Sequence, residues 1–520
     1  MITGARLVLI LTLFALPRLA AGAAGSRPPN ILFIMVDEMR WNVMSCAGHP
    51  LVKTPNLDRI AREGTRFATA YTVAPICGPS RYSFFTSRYA HVHGAIDNSE
   101  DATPLPGQVV LPAILKKEGY ETAISGKLHF SPRGPAYGFD YFWSDRNEGP
   151  GKLPRWPEHV RAKYGKDVNA MKMPGSSPFP DDPLGKDLAT IEVQPEDTQV
   201  FWTTARAEEY LDKRDRSRPF FLYVSYLEPH SPSLLVEMYR RMFDPAKVPI
   251  PPLPEKTSTG TKRTADNRHE VADPAIVRAM TAAYFAKVQM VDDNVGRLLA
   301  RLKKDGLDEN TIIIFSADHG NMLGDHGRWF KGVMHEGSSR IPLLMKVPAS
   351  HPAAATFNRG KVVNEIVENI DVMPTLMNLI GRPLPRDPGF QGMDLAPLVA
   401  GNTAGWKNRA FAERGSCMIR TPEFKLIQTR GRGSEAPYEL YDMQRDPRED
   451  MNLAGDPKYA KIQAELNRQL EAWLAQTAPL PIMPGVQTKW DDSPAAAADA
   501  PVKKRPREKR APREKAAKHD

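Results

Sequence analysis

Residues Asn30–Val36 (Asn-Ile-Leu-Phe-Ile-Met-Val) form an unbroken apolar run between Pro28-Pro29 and the acidic pair Asp37-Glu38. A strand with one wet face alternates polar and apolar residues. A run without interruption is buried on both faces, as a central strand of a parallel sheet is. A second such run, Thr311–Ser316, ends just before Asp318-His319. Phe220–Ser225 runs into Glu228-Pro229-His230, and the shorter Thr122–Ser125 into Gly126-Lys127-Leu128-His129. Helices alternate with these strands. Thr54-Pro55-Asn56-Leu57-Asp58 opens one that continues to Glu63, with Gly64 as its stop. Asp273-Pro274 pairs an N-cap with Pro at the first helical position. Ile276, Met280, Tyr284, Val288, Val291, Val295, Leu298 and Leu302 then mark one face of a long helix ending near Gly306. The pattern predicts an α/β fold built on a doubly wound, mostly parallel sheet. Such sheets carry their chemistry beyond the C-terminal ends of the strands, where the acidic residues fall.

From Asn402 the character changes. Phe424–Gln428 and Tyr438–Tyr441 are short strands broken by Gly and Pro, and Tyr459–Ala475 is amphipathic behind Asp456-Pro457. We therefore expect a main unit over residues 29–400 and a smaller C-terminal α+β subdomain over 401–480. Glu148–Thr198, rich in Pro, Gly and Lys, reads as a long surface insertion of the kind that shapes a substrate pocket. Residues 1–23 read as a secretory signal, with Arg6 before the apolar Leu7–Leu16 and a small-residue site at Ala21-Gly22-Ala23. That run is too short to span a bilayer, so an exported protein, periplasmic or secreted, is expected. The basic, Ala- and Pro-rich residues 493–520 read as a disordered tail. Nine Lys/Arg against three Asp/Glu in residues 501–520, with Arg6 and Arg18, account for nearly all of the net charge of +9. The folded body is thus close to neutral and gives no reason to expect a nucleic-acid-binding face. The tail reads as a solubility extension or as a contact for polyanions. Three cysteines, Cys46, Cys77 and Cys417, are too few for a disulfide framework; Cys46 and Cys417 are expected free and buried, with a pairing between them the alternative.

The stretch Cys77-Gly-Pro-Ser-Arg81-Tyr-Ser-Phe-Phe-Thr-Ser-Arg88 breaks an extended run and can start a helix from Ser80. Cys77 would then lie at a helix N-terminus, which favours an anion, with the cation Arg81 one turn on. By spacing alone, a buried structural cysteine is an equal reading.

Cys-x-Pro-Ser-Arg resembles the signature of the type I sulfatases in the alkaline-phosphatase-like superfamily, whose cysteine is oxidised after translation to formylglycine. The maturing machinery, a formylglycine-generating or anaerobic sulfatase-maturating enzyme, reads the Cys, Pro and Arg, here Cys77, Pro79 and Arg81. The resemblance extends through Gly126-Lys127-Leu128-His129, Pro229-His230-Ser231-Pro232, Asp318-His319, Lys331 and Glu336–Pro342 to Glu439-Leu440-Tyr441-Asp442 and Asn452-Leu453. It implies metal ligands at Asp37, Cys77, Asp318 and His319, with Glu38 a further candidate. The ion would be Ca²⁺, or Mg²⁺ or Mn²⁺, since hard oxygen ligands suit such cations. It implies catalytic roles for Cys77, Arg81, Lys127, His129, His230 and Lys331, around the sulfuryl group of a sulfated small molecule or glycan. Three positions depart from the usual pattern: Asp37-Glu38 for Asp-Asp, Asp318-His319 for Asp-Asn, and Phe85-Thr86-Ser87 for Leu-Thr-Gly. Asp-His resembles the choline-sulfatase and phosphonate-monoester-hydrolase branches. Lys127 and His129, two apart on one expected strand, would face the same side.

Two rival readings follow from the same residues. One is a phosphonate monoester or phosphodiester hydrolase on this scaffold. The other is a silent polyanion-binding protein in which Cys77 is never converted.

Overall fold

The computed structural model describes residues 27–98, 108–131, 136–144, 155–253, 261–263, 269–382, 384, 389–429 and 438–477. The expected signal segment 1–23, the tail 493–520 and the first part of the insertion lie outside the described residues.

Eight strands form the main sheet: β1 (Asn30–Asp37), β2 (Thr65–Tyr71), β3 (Glu121–Gly126), β4 (Tyr141–Trp143), β5 (Phe220–Pro229), β6 (Thr311–Ala317), β7 (Arg340–Lys346) and β8 (Lys361–Glu368). Their spatial order is β8-β2-β7-β6-β1-β5-β3-β4. β7 runs antiparallel to β6 and β2, and every other pairing is parallel. The α/β class and mostly parallel sheet expected from the apolar runs are the ones observed. Every residue of β1 and of β6 is buried, because helices cover both faces. α1 (Pro55–Glu63), α2 (Cys77–Thr86), α3 (Gln199–Lys213) and the long α4 (Pro274–Lys304) are the helices that matter for the site. Asp273 caps α4 by accepting from the Ala275 amide at 2.9 Å, as its position before Pro274 predicts.

α2 differs from expectation at its start. The helix begins at Cys77, not Ser80, and Pro79 sits in its first turn. This costs nothing, because the first N–H groups of a helix have no intrahelical partner for a proline to remove. α2 packs on β1 through Phe33, whose ring lies 5.7 Å from Phe84 and 6.4 Å from Phe85. Side chains alternate along a strand, so Phe33, Met35 and Asp37 share the face that α2 covers. The packing therefore brings the C-terminal end of β1 beside the start of α2.

β3 ends at Gly126, where φ is +101° and an added Cβ would lie 1.9 Å from the Ser225 carbonyl oxygen. The expected strand through Lys127 and His129 is therefore corrected. Both lie in the turn beyond it, and His129 has φ +62°. The insertion also carries more structure than its composition predicts. Trp156–Tyr164 is a helix with Glu158 in a capping box, and Leu188–Thr190 pairs in parallel with Ser233–Leu235.

Beyond the main sheet, β9 (Ala410–Arg414), β10 (Ser416–Arg420), β11 (Phe424–Thr429) and β12 (Tyr438–Asp442) form an antiparallel meander. α5 (Ala460–Gln476) covers it through Leu466, Leu470 and Trp473. Val73, Tyr89, Val92 and Ile370 of the main unit join the same apolar cluster. A buried ionic cluster also ties the two units. Lys425 Nζ lies 2.7 Å from Glu336 and 2.6 Å from Glu449, and Tyr71 donates to Glu336 at 2.6 Å. None of the three cysteines is in a disulfide; Cys417 is buried, as expected, whereas Cys46 is only half-buried.

Candidate active site

Asp37 leaves the end of β1, Asp318-His319 leaves β6 alongside it, and α2 delivers Cys77 from above. The ligand atoms of Asp37, Cys77, Asp318 and His319 lie within 4.8 Å of one another, and all four residues are buried. Cys77 Sγ is 3.6 Å from Asp37 Oδ1 and 3.2 Å from His319 Nε2. His319 Nδ1 is 2.9 Å from the Gly320 carbonyl, to which it donates, so Nε2 faces the cluster.

Arg81 binds this group together. Its Nε donates to Asp318 Oδ2 at 2.8 Å and its Nη2 to Asp37 Oδ2 at 3.2 Å. Nη1 donates to the Lys127 carbonyl and to Ser225 Oγ, both at 2.8 Å. With these partners the guanidinium is fixed, and its role is to hold the two carboxylates in place. Lys127 Nζ pairs with Asp37 Oδ2.

These charges reshape one another. Burial and the neighbouring sulfur push Asp37 upward, but Lys127, His230 and Arg81 outweigh them and hold it below the usual carboxylate range. Burial and the nearby Asp37 push Asp318 up. Burial alone would raise the Cys77 thiol, yet Lys127, Lys331 and His319, with a hydrogen bond from His129, bring it well below its usual value. Position 77 is thus built to carry a negative oxygen or sulfur. Two crowded carboxylates, one imidazole nitrogen and that anionic position make a donor set that fits a divalent cation.

Glu38 stands apart. It takes φ +68°, and its side chain turns from the four-donor group to Asn321, which donates to Oε1 at 2.7 Å, and to Lys331, which donates to Oε2 at 2.9 Å. His230 Nε2 is 3.4 Å from the same oxygen. Glu38 therefore falls in a second group with Asp37 and His230. Burial would lower Lys331, but Cys77, Glu38 and Asp37 hold it above its ordinary range, so it stays an ammonium.

All ten residues singled out from sequence thus meet in one pocket-sized region. Two neighbours escaped that reading. Asn321 braces Glu38 while its Oδ1 accepts the Leu323 and Phe330 amides at 2.9 and 3.2 Å. Lys287, buried on α4, donates to the carbonyls of His230 and Pro232. Its signal was present: a lysine inside the apolar stripe, between Tyr284 and Val288. Among the described residues, no helix is long and apolar enough to cross a membrane.

The Sulfatase family profile matches residues 29–382, and that of the N-sulphoglucosamine sulphohydrolase C-terminal region matches residues 324–476. An arylsulfatase of Clostridium perfringens is 29% identical over 462 residues, covering 83% of this chain and 91% of its own. An N-acetylglucosamine-6-O-sulfatase of Bacteroides thetaiotaomicron is 30% identical over 502 residues, covering 86% of each. Among solved structures, the phosphonate monoester hydrolase of Agrobacterium radiobacter superposes with TM-score 0.72 at 24% identity, over 86% of this chain and 96% of that one. An enzyme solved with its substrate D-glucosamine-2-N,6-O-disulfate superposes with TM-score 0.68 at 26% identity, over 87% of this chain and 98% of that one. With the profile spanning most of its length, the chain belongs to the sulfatase family and is a hydrolase of sulfuric esters.

Proposed function

We propose that this enzyme is an exported sulfatase that cleaves a sulfated glycan or small molecule through a formylglycine made from Cys77, with one divalent cation, Ca²⁺ by preference, held by Asp37, Asp318, His319 and residue 77. The observation that carries the reading is the ring of cations, Lys127, Arg81, Lys331 and His319, closed around a buried residue 77 already polarised toward an anion. In this reading residues 29–400 form the catalytic unit and 401–480 a subdomain packed on it.

Formylglycine at residue 77 and the cation, when in place, would supply an acidified hydroxyl nucleophile and a carbonyl that can be regenerated as sulfate departs. The chain's own residues do the rest. Arg81 keeps Asp37 and Asp318 in place. Lys127 and Lys331 face the sulfuryl oxygens and offset the charge that builds on them. Lys331, held strongly protonated, suits this electrostatic task better than proton donation. His230, one-fifth exposed at the edge of the site, donates the proton to the leaving oxygen. His129, hydrogen-bonded to the Cys77 side chain, serves as the base at that residue.

Intact-mass analysis of the peptide containing Cys77, after expression with a maturing enzyme, tests the modification. The expected product is lighter than cysteine by the sulfur-for-oxygen exchange and two hydrogens. Cys77→Ala is expected to abolish sulfatase turnover while leaving the protein folded. Retention of more than a trace of activity overturns the scheme. Faster turnover of an aryl phosphonate than of the matching aryl sulfate transfers the reading to the phosphonate branch.

A further inference from the structure

Arg414, the last residue of β9, is carried by the C-terminal sheet to the rim of this site. Its guanidinium packs against Gly332, the residue after Lys331. A Cβ added at Gly332 would sit 2.0 Å from Arg414 Nη1 and 3.0 Å from its Cζ, so the close approach is made at a residue with no side chain, at φ +87°. On its other side, Arg414 Nη2 is 3.5 Å from Asp97 Oδ1. The next residue, Asn98, accepts the Gly78 amide at 2.9 Å. Asp97, Asn98, Gly78, Tyr82 and His129 together wall a small recess beside residue 77. Arg414 is therefore tied to the Lys331 loop on one flank and to the mouth of that recess on the other.

Its donors are largely unused. Arg414 Nε is buried and has no hydrogen-bond acceptor among the described residues. The contact with Asp97 is long, and that carboxylate is 53% exposed. Arg414 itself is 19% exposed, but a long pair whose carboxylate is open to water holds little energy and exchanges readily for a better partner. The scissile sulfate already has Lys127 and Lys331, so a further rim cation is surplus to cleavage. A guanidinium with an open fork matches the paired oxygens of a carboxylate or sulfate.

We propose that Arg414 binds a second anionic group, a carboxylate or a further sulfate, carried by the substrate beside the ester that is cleaved. The preferred substrate is then a polyanionic sugar, and the C-terminal subdomain takes part in choosing it. This inference rests on the sulfatase reading above.

The test measures kcat and KM of the mature full-length enzyme and of R414A and R414K. The substrates are 4-nitrophenyl sulfate, a disulfated glucosamine and a sulfated uronic acid. The ratio of kcat/KM for the better dianionic sugar to that for 4-nitrophenyl sulfate is expected to fall by about tenfold or more in R414A, chiefly through KM. R414K is expected to recover part of the loss, because a point cation replaces a fork. The sugar that loses more identifies the second anion as carboxylate or sulfate. Equal losses on all substrates, or no loss on either sugar, overturn the inference while wild-type sulfatase activity keeps the underlying reading intact. Absence of any sulfate hydrolysis by the wild type ends both. If R414A does not fold, R414Q, which keeps the stem, replaces it in the same comparison.

Discussion

Glu38→Gln separates two roles that proximity to Asp37 leaves confounded. The side chain lies among the metal-capable residues in sequence, but in space it holds Lys331 at 2.9 Å and Asn321 at 2.7 Å. The substitution keeps the size of the group and removes its charge. Lys331 is 13% exposed and Glu38 fully buried, so little water is at hand to replace the lost partner. A hydrogen bond to a charged group contributes about 1.5–3 kcal/mol. If that energy positions Lys331 against the sulfuryl oxygens, kcat/KM should fall about 10- to 150-fold, at roughly 1.36 kcal/mol per decade. The assay is hydrolysis of 4-nitrophenyl sulfate, with the divalent metal content of the same samples measured by elemental analysis. Metal content is expected to match the wild type. Metal lost in parallel with activity would make Glu38 a ligand and refute the argument, and a change smaller than about twofold would show that Lys331 does not depend on it.

Lys287→Met removes the ammonium that burial pulls down to about 8 and that fixes the carbonyls of His230 and Pro232. Loss of the clamp should lower kcat on 4-nitrophenyl sulfate by about tenfold with KM little changed, because the proposed proton donor is no longer held in place. Lys425→Met leaves Glu336 and Glu449 buried without their shared cation. Breaking such a pair costs about 3–5 kcal/mol, and the persistence of Arg340 at 3.2 Å from Glu336 points to the lower end, read as a shift in the urea midpoint. The same cluster sets an acid limit. Burial pushes Glu336 up, but Lys425, Arg340 and Arg420 more than offset it and hold the group below the usual carboxylate range. A depressed carboxyl stabilises the fold fully above its unfolded pKa and loses that contribution as pH falls through the folded one. Urea stability should therefore decline below about pH 4.5 in the wild type and decline less steeply in Lys425→Met. Chelation should abolish turnover and excess Ca²⁺ restore it, with binding followed by calorimetry on the stripped protein.

The parts of the site that were legible in the sequence are those fixed by local rules. An apolar run buried on both faces gives way to charge at its end, so Asp37 and Asp318 fall at strand ends from the apolar runs alone, and α/β topology brings such ends together. Helix caps at Asp273 and the stop at Gly64 are equally local. What escaped depends on contacts between distant segments. The start of α2 lies earlier than the sequence predicts because a proline in the first turn is compatible with either boundary, and the Ser80 amide donating to the Ile76 carbonyl at 3.0 Å and the Gly78 amide donating to Asn98 at 2.9 Å hold the helix back to Cys77. The sequence extends the strand through Lys127 and His129 because alternation carries no signal for its end. The close approach of the Ser225 carbonyl to Gly126 ends it. Glu38 shows the limit most clearly, since adjacency to Asp37 says nothing about where a residue at φ +68° sends its side chain. The same turn that removes Glu38 from the four-donor group delivers it to Lys331 and His230. One backbone conformation at the end of β1 therefore divides the acidic pair: its first member faces the four-donor group and its second braces Lys331 and stands beside His230, the groups proposed to act on the sulfate ester.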